Sequence, residues 1–204
     1  MAGSDVKAVF ITADTNAVDA ASVAAAARPN TDFTIDGTDT DGGVATFAAG
    51  RIITCTTSGT GDNGKTVTLT GTDVNGDSQT EVITLSASAT AHSGTKYFKT
   101  ITAAAASSQP AANVSIGMAA GAADVIFAGR SRLKGAYIVN SGTDGTLDFL
   151  TTSPTGTSIM KLGTVASATV TRDVHIPEEG VMFTAGVYIQ YTISTFTTIT
   201  AFHA

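Results

Sequence analysis

Tryptophan is absent, cysteine occurs once, and charged residues make up only 14% of the 204-residue chain. Each shortage excludes something. The lone Cys55 cannot close an intrachain disulfide, and its place in an apolar alternation marks it as a small core residue. The eleven Lys and Arg are scattered and the net charge is −6, so the basic patches that nucleic-acid binding requires are missing. No stretch reaches the roughly 18 consecutive apolar residues of a membrane-spanning helix. The opening MAGSD lacks the basic and apolar regions of a signal peptide, so export by that route is not expected. Aromatic residues, at 6%, are too sparse for the stacked platforms of a typical carbohydrate-binding adhesin.

What is abundant is Thr, Ala, Gly and Ser, a composition that suits twisted, tightly turned sheets. Residues 51–85 show how it is used. Val67 and Leu69 alternate with Thr66, Thr68, Thr70 and Thr72, the period of two of a half-buried strand. Asn75-Gly76 follows, a dipeptide suited to a type I′ turn. The return run places Glu81, Ile83 and Leu85 on one side, completing a hairpin.

The same stretch holds a false lead. Gly59-Thr60-Gly61-Asp62-Asn63-Gly64-Lys65-Thr66 satisfies the phosphate-binding pattern of glycine, four residues, then Gly-Lys-Thr. That pattern works where a strand meets a helix, whose N-terminus adds its positive dipole end. Here a β-branched, alternating run follows, so the segment reads as a solvated loop between strands and nucleotide binding is rejected. Two Asp-rich turns, residues 36–43 and 73–77, invite a calcium reading. Both miss the EF-hand register, and Asp and Asn favour turns by bonding nearby amides. His92, His175 and His203 lie in no motif, and Glu178-Glu179 read as turn residues. The sequence nominates no catalytic residue, no cofactor-binding residue and no metal ligand.

Further strands are expected over residues 6–12, 32–36 (Phe33 and Ile35 on one face), 44–47, 96–103 and 113–117. Residues 20–27, rich in alanine, read as a loop or one or two helical turns. A patternless stretch at 118–123 divides the chain. Beyond it, strands are expected at 124–127, 131–140 (Leu133, Tyr137 and Val139 sharing a face), 146–150, 158–162, 169–176 and 181–184. In the last runs Val187, Ile189, Tyr191 and Ile193 share a face, and Phe196 and Phe202 follow. The expected fold is all-β, with two β-sandwich or jelly-roll-like units at residues 1–120 and 121–204.

Several segments resemble a family of tailed-bacteriophage virion proteins: Gly42-Gly43-Val44-Ala45-Thr46, Arg51, Gly61-Asp62-Asn63-Gly64, residues 66–85, Gly94-Thr95-Lys96-Tyr97-Phe98-Lys99-Thr100 and residues 112–117. Residues 132–140 and 177–183 are similar to phage structural β-domains more loosely. The resemblance implies a non-enzymatic virion component, made in the host cytoplasm, foremost a capsid decoration (cement) protein on the capsid surface. Its partners would be the major capsid protein and copies of itself, as a trimer or dimer, without cofactor, nucleic acid or membrane. A tail, fibre or head–tail connector component is the alternative, and a carbohydrate-binding adhesin module the second. Residues 6–12 and 197–202 are the candidate sheet edges for attachment.

Overall fold

A computed structural model of the chain describes residues 6–12, 18–118, 123–153, 155–191 and 195–204. Among these residues every regular element is a strand, as the alternating Thr-rich pattern predicts. In chain order they are β1 (Lys7–Thr12), β2 (Ala24–Ala27), β3 (Thr40–Asp41), β4 (Val44–Thr57), β5 (Thr66–Thr72), β6 (Ser78–Thr84), β7 (Ala91–Ala106) and β8 (Val114–Met118). There follow β9 (Ala123–Phe127), β10 (Ser131–Asn140), β11 (Thr146–Thr151), β12 (Thr157–Gly163), β13 (Thr171–His175), β14 (Val181–Phe183), β15 (Val187–Tyr191) and β16 (Phe196–His203).

The chain forms two compact units, but not the two consecutive ones expected. Val18–Gly121 is one unit; Met1–Ala17 joins Ala122–Ala204 in the other. The correction comes from β1, which pairs antiparallel with β16 over its whole length, Lys7 opposite His203 and Thr12 opposite Thr198. No local pattern in a strand reveals its partner, and this pairing spans nearly the whole chain.

The Val18–Gly121 unit is built on two long strands, β4 and β7. Both run well beyond the expected strands at residues 44–47 and 96–103. Their ladder breaks register twice. Between the pairs Thr46–Thr100 and Arg51–Phe98, β4 advances five residues and β7 two; between Ile52–Tyr97 and Thr54–Ser93, β7 advances four and β4 two. Such bulges bend a strand and increase its twist. β5 and β6 extend the sheet beyond β7, while β8 and then β2 extend it beyond β4. Ala24, Val114 and Ile116 from β2 and β8 share one buried core with Val67, Leu69 and Ile83 from β5 and β6, and with Cys55, Phe98 and Ile101 between them.

Three local expectations change here. Ala24–Ala27 is a strand because β8 supplies its ladder, overriding alanine's helix preference. Residues 32–36 are extended but form only an isolated bridge, Asp32 to Ala105, although Phe33 is buried and Ile35 packs on the core as its alternation indicated. Asn75-Gly76 does not form a primed turn. Only Gly76 has positive φ, at 89°, and its N–H donates to the Asp73 carbonyl at 3.1 Å, so a type I turn ends in a left-handed glycine. Asp73 sets that choice, since its Oδ1 accepts the amides of Asn75 and Asp77 at 2.8 and 3.0 Å. The primed geometry is found instead at Gly42-Gly43, both at positive φ, between paired Asp41 and Val44.

The other unit carries two layers. In one, strands lie in the order β1-β16-β10-β13, with β14 also pairing β10; in the other, β12, β11, β15 and β9 lie side by side. The layers face each other through buried Ile11, Leu133, Ile138, Phe149, Ile189 and Ile199. Phe127 meets His203 at 5.2 Å between ring centroids, and Tyr191 meets Phe196 edge-on at 6.0 Å. Val187, Ile189 and Tyr191 are buried as expected; Ile193 lies outside the described residues. The expected face of β10 is wrong beyond its first turn inward. Leu133 and Gly135 pair with consecutive residues His203 and Phe202, so Lys134 is an extra residue. The alternation reverses there: Leu133, Ala136 and Ile138 point inward, and Tyr137 is 38% exposed. Phe202 likewise lies on the outer side, one residue from buried His203. Of the two candidate edges, β1 ends its layer among the described residues; residues 197–202 do not, being paired on both sides by β1 and β10.

Candidate functional site

The phosphate-loop lookalike is a strand-to-strand connection with no helix after it. Its lysine is turned inward rather than solvated. Lys65 Nζ donates to Asp62 Oδ1 at 3.1 Å and to the Gln109 carbonyl at 2.9 Å. Asp62 is fully buried and also accepts the amides of Ala111 and Ala112, the second at 3.3 Å. Burial alone would raise its pKa; those amides and the Lys65 ammonium outweigh it and hold the carboxyl below the ordinary 3.8. Arg28 Nε donates to the Pro110 carbonyl at 2.9 Å, and Gln109 Nε2 donates to the Arg28 carbonyl at 3.2 Å. The loop is therefore a polar knot between the β4–β5 and β7–β8 connections, and its cationic group is already committed.

The remaining sequence candidates scatter. The carboxylate of Asp73 is occupied by its own turn, and among the described residues no three His, Cys, Asp or Glu side chains are placed to share a metal ion. Cys55 is buried as expected; burial, then the charge of Glu81, pushes its thiol up to about 12, so it is a poor nucleophile. His92 is half-buried, its Nε2 accepting the Ser86 amide at 3.4 Å. His203 is buried, its Nδ1 without a partner among the described residues; burial, then Lys7, lowers its pKa from 6.5. Glu179 pairs with Arg132 at 3.2 Å on the surface. No nucleophile, base and orienting group are brought together by these positions.

Glu81, which alternation sets on one side with Ile83 and Leu85, is a true interior group. Glu81 Oε1 accepts the Thr95 amide, the Thr95 hydroxyl at 2.9 Å and the Lys96 amide at 3.1 Å. These are the extra residues of the β7 irregularity. The matching β4 irregularity is held by Lys99, whose Nζ donates to the Ala48 carbonyl at 2.8 Å and whose pKa is lowered by burial. Both charges are spent on backbone groups that left the ladder.

The open concavity of interest lies on the outer face of the β1-β16-β10-β13 layer. It has a volume of about 550 Å³. Its floor is the β10 bulge, where Gly135 lies opposite Phe202 on β16 and His175 on β13. A Cβ on Gly135 would stand 2.6 Å from the Val174 carbonyl oxygen, so glycine is required and the floor is bare backbone. Phe202 and Val6 form the apolar side, and Lys134, Asp173, His175 and Glu178 the polar one. Glu178 adopts φ 58°, a left-handed conformation uncommon for a residue with a side chain. The strand pattern of residues 169–176 carries no sign that the β16-β10-β13 register sets Phe202 on the same face as Asp173 and His175.

No family model, curated protein or solved structure matches the chain.

Proposed function

We propose that the chain is a non-enzymatic structural protein of a tailed-phage particle, foremost a capsid decoration (cement) protein that binds the outside of the head. The observation that supports this reading is where the resemblance falls. Residues 42–117, which carry the family-like text, all belong to the single Val18–Gly121 unit and include its two long strands, its hairpins and its polar knot. The resembling positions are those that fix its geometry: Glu81, Gly94, Thr95, Lys96 and Lys99 at the bulges, and Asp62 in the knot. An all-β build, with charged groups turned to structural use, suits a protein that binds by its surfaces and sheet edges.

Attachment is assigned to the outer strand β1, which among the described residues ends the order β1-β16-β10-β13, with Val6 and Phe10 there exposed at 53% and 55%. There a neighbouring chain, either a second copy or the capsid protein, can add a strand. A tail, fibre or connector role is the alternative. Purified virions analysed by quantitative mass spectrometry and electron cryomicroscopy decide between them. Copies on the order of hundreds at symmetry-related sites on the head are the expected result, since a shell offers many equivalent positions. Finding the protein only along the tail would overturn the decoration reading, and finding none in particles would overturn the virion reading as a whole.

A further inference from the structure

We propose that the concavity over the β10 bulge is a binding site for a neutral saccharide. Its volume, about 550 Å³, falls within the range of small-molecule sites. Three features at one place set it apart from an ordinary surface hollow. The bulge at Lys134 re-aims β10 and leaves the bare backbone of Gly135 as a flat floor beside the Phe202 ring. Asp173, Glu178, His175 and Lys134 stand around that floor. The chain before Gly180 holds Glu178 in a strained backbone conformation at the rim.

The lining selects the ligand class. Two carboxylates accept hydrogen bonds, the ammonium donates and the imidazole can do either, so a ligand rich in hydroxyl groups finds partners of both kinds. The cationic Lys134 is offset by Asp173 and Glu178, which disfavours phosphates and other anions. One aromatic ring and the Val6 side chain suit a ligand with one apolar face, as the C–H face of a pyranose provides, while the charged rim is wrong for an acyl chain. The chain-wide scarcity of aromatic rings excludes a broad stacking platform; a single ring against a single sugar is a weaker mode, with affinity on the order of millimolar. The inference does not depend on the virion reading, because the cleft belongs to the other unit and is a property of the isolated chain.

Saturation-transfer NMR on the full chain, with maltotriose, cellotriose and tri-N-acetylchitotriose as probes, tests it. At least one should give saturable transfer, weakened about tenfold or more by Phe202→Ala. Asp173→Asn and His175→Ala, on the exposed β13 edge, should also weaken it without disturbing the fold, and so keep the test valid if the Phe202 variant unfolds. Tyr137→Ala, on the same face but outside the lining, should not. No saturable transfer from any probe, equal binding by the β13 variants, or preference for a sulfated disaccharide over all three neutral probes would each overturn the assignment.

Discussion

Glu81 occupies the space that a side chain on Gly94 would need: a Cβ there would collide with Glu81 Oε2 and with the carboxyl carbon. The two residues lie on different strands or bulges of one sheet, and each makes sense only through the other. Glycine lets the carboxylate in, and the carboxylate accepts the Thr95 and Lys96 amides freed from the β4–β7 ladder.

Gly94→Ala should therefore destabilise the protein by about 1–3 kcal/mol, the range for overpacking a closed site. Glu81→Ala should also destabilise it, since each buried donor left unsatisfied costs about 1–3 kcal/mol. The two effects should not add: with Glu81 already truncated, the added methyl has room. A double-mutant cycle from urea melts reads this directly. Additive losses would mean that the pair is not coupled.

Lys65→Ala should cost about 1–3 kcal/mol, as expected for a hydrogen bond to a charged group lost from a buried carboxylate. A solvated loop, the reading that the β-branched run after Lys65 gives, would show about zero, the usual result at an exposed site. The denaturant midpoint separates the two. Lys65→Met retains the alkyl stem and should lose most of the same stability, which assigns the effect to the ammonium.

Much of the fold was legible because Thr-Val-Thr-Leu alternation states directly which side of a strand is buried; it also set Glu81 on one side with Ile83 and Leu85. What was not legible shares one physical cause. A period of two carries no record of an inserted residue, so the bulge at Lys134 silently reversed the faces of Tyr137 and Ile138. Pairing partners are equally silent: nothing within Ala24–Ala27, which reads as a loop or one or two helical turns, points to β8, and nothing within β1 points to β16. The concavity is a product of both effects. Gly135, Phe202 and His175 are distant in sequence and meet only through the β16-β10-β13 register.

Stability should fall in two acid steps, each tied to one group. His203 is held neutral, its folded pKa lying below 6.5, so the unfolded chain binds the proton more readily. Its contribution is complete above pH 6.5 and is lost as pH falls from there toward the folded value. Asp62 has a folded pKa below 3.8, so its contribution is present above that pH and is lost below it. His203→Leu should remove the upper step and, because Nδ1 has no partner among the described residues, need not lower stability at neutral pH. Asp62→Asn should lower neutral-pH stability and flatten the acid step. Melting temperatures between pH 3 and 8 provide the check; an unchanged upper step in His203→Leu would assign it to another group.

The pairing of β1 with β16 makes the start of the chain part of the unit that ends it, which gives truncation a specific signature. Removing residues 1–12 would leave one side of β16 without its ladder, from Thr198 to His203, and would uncover Ile11's place in the core. An unpaired edge of that length carrying Ile199, Ala201 and Phe202 is prone to association. The truncated protein should therefore exchange the amide hydrogens of β16 faster and tend to self-associate. The Val18–Gly121 unit should keep its structure, since β1 contributes nothing to its strand pairings. Cys55 reports on that unit: buried, with its thiol pushed up to about 12, it should resist a thiol reagent equally in the full and truncated chains until denaturant opens the core. A synthetic peptide of residues 6–12 should slow exchange in β16 again by restoring its partner. Uniform loss of protection across both units, including fast labelling of Cys55, would show instead that the two fold as one cooperative body and that β1 supports all of it.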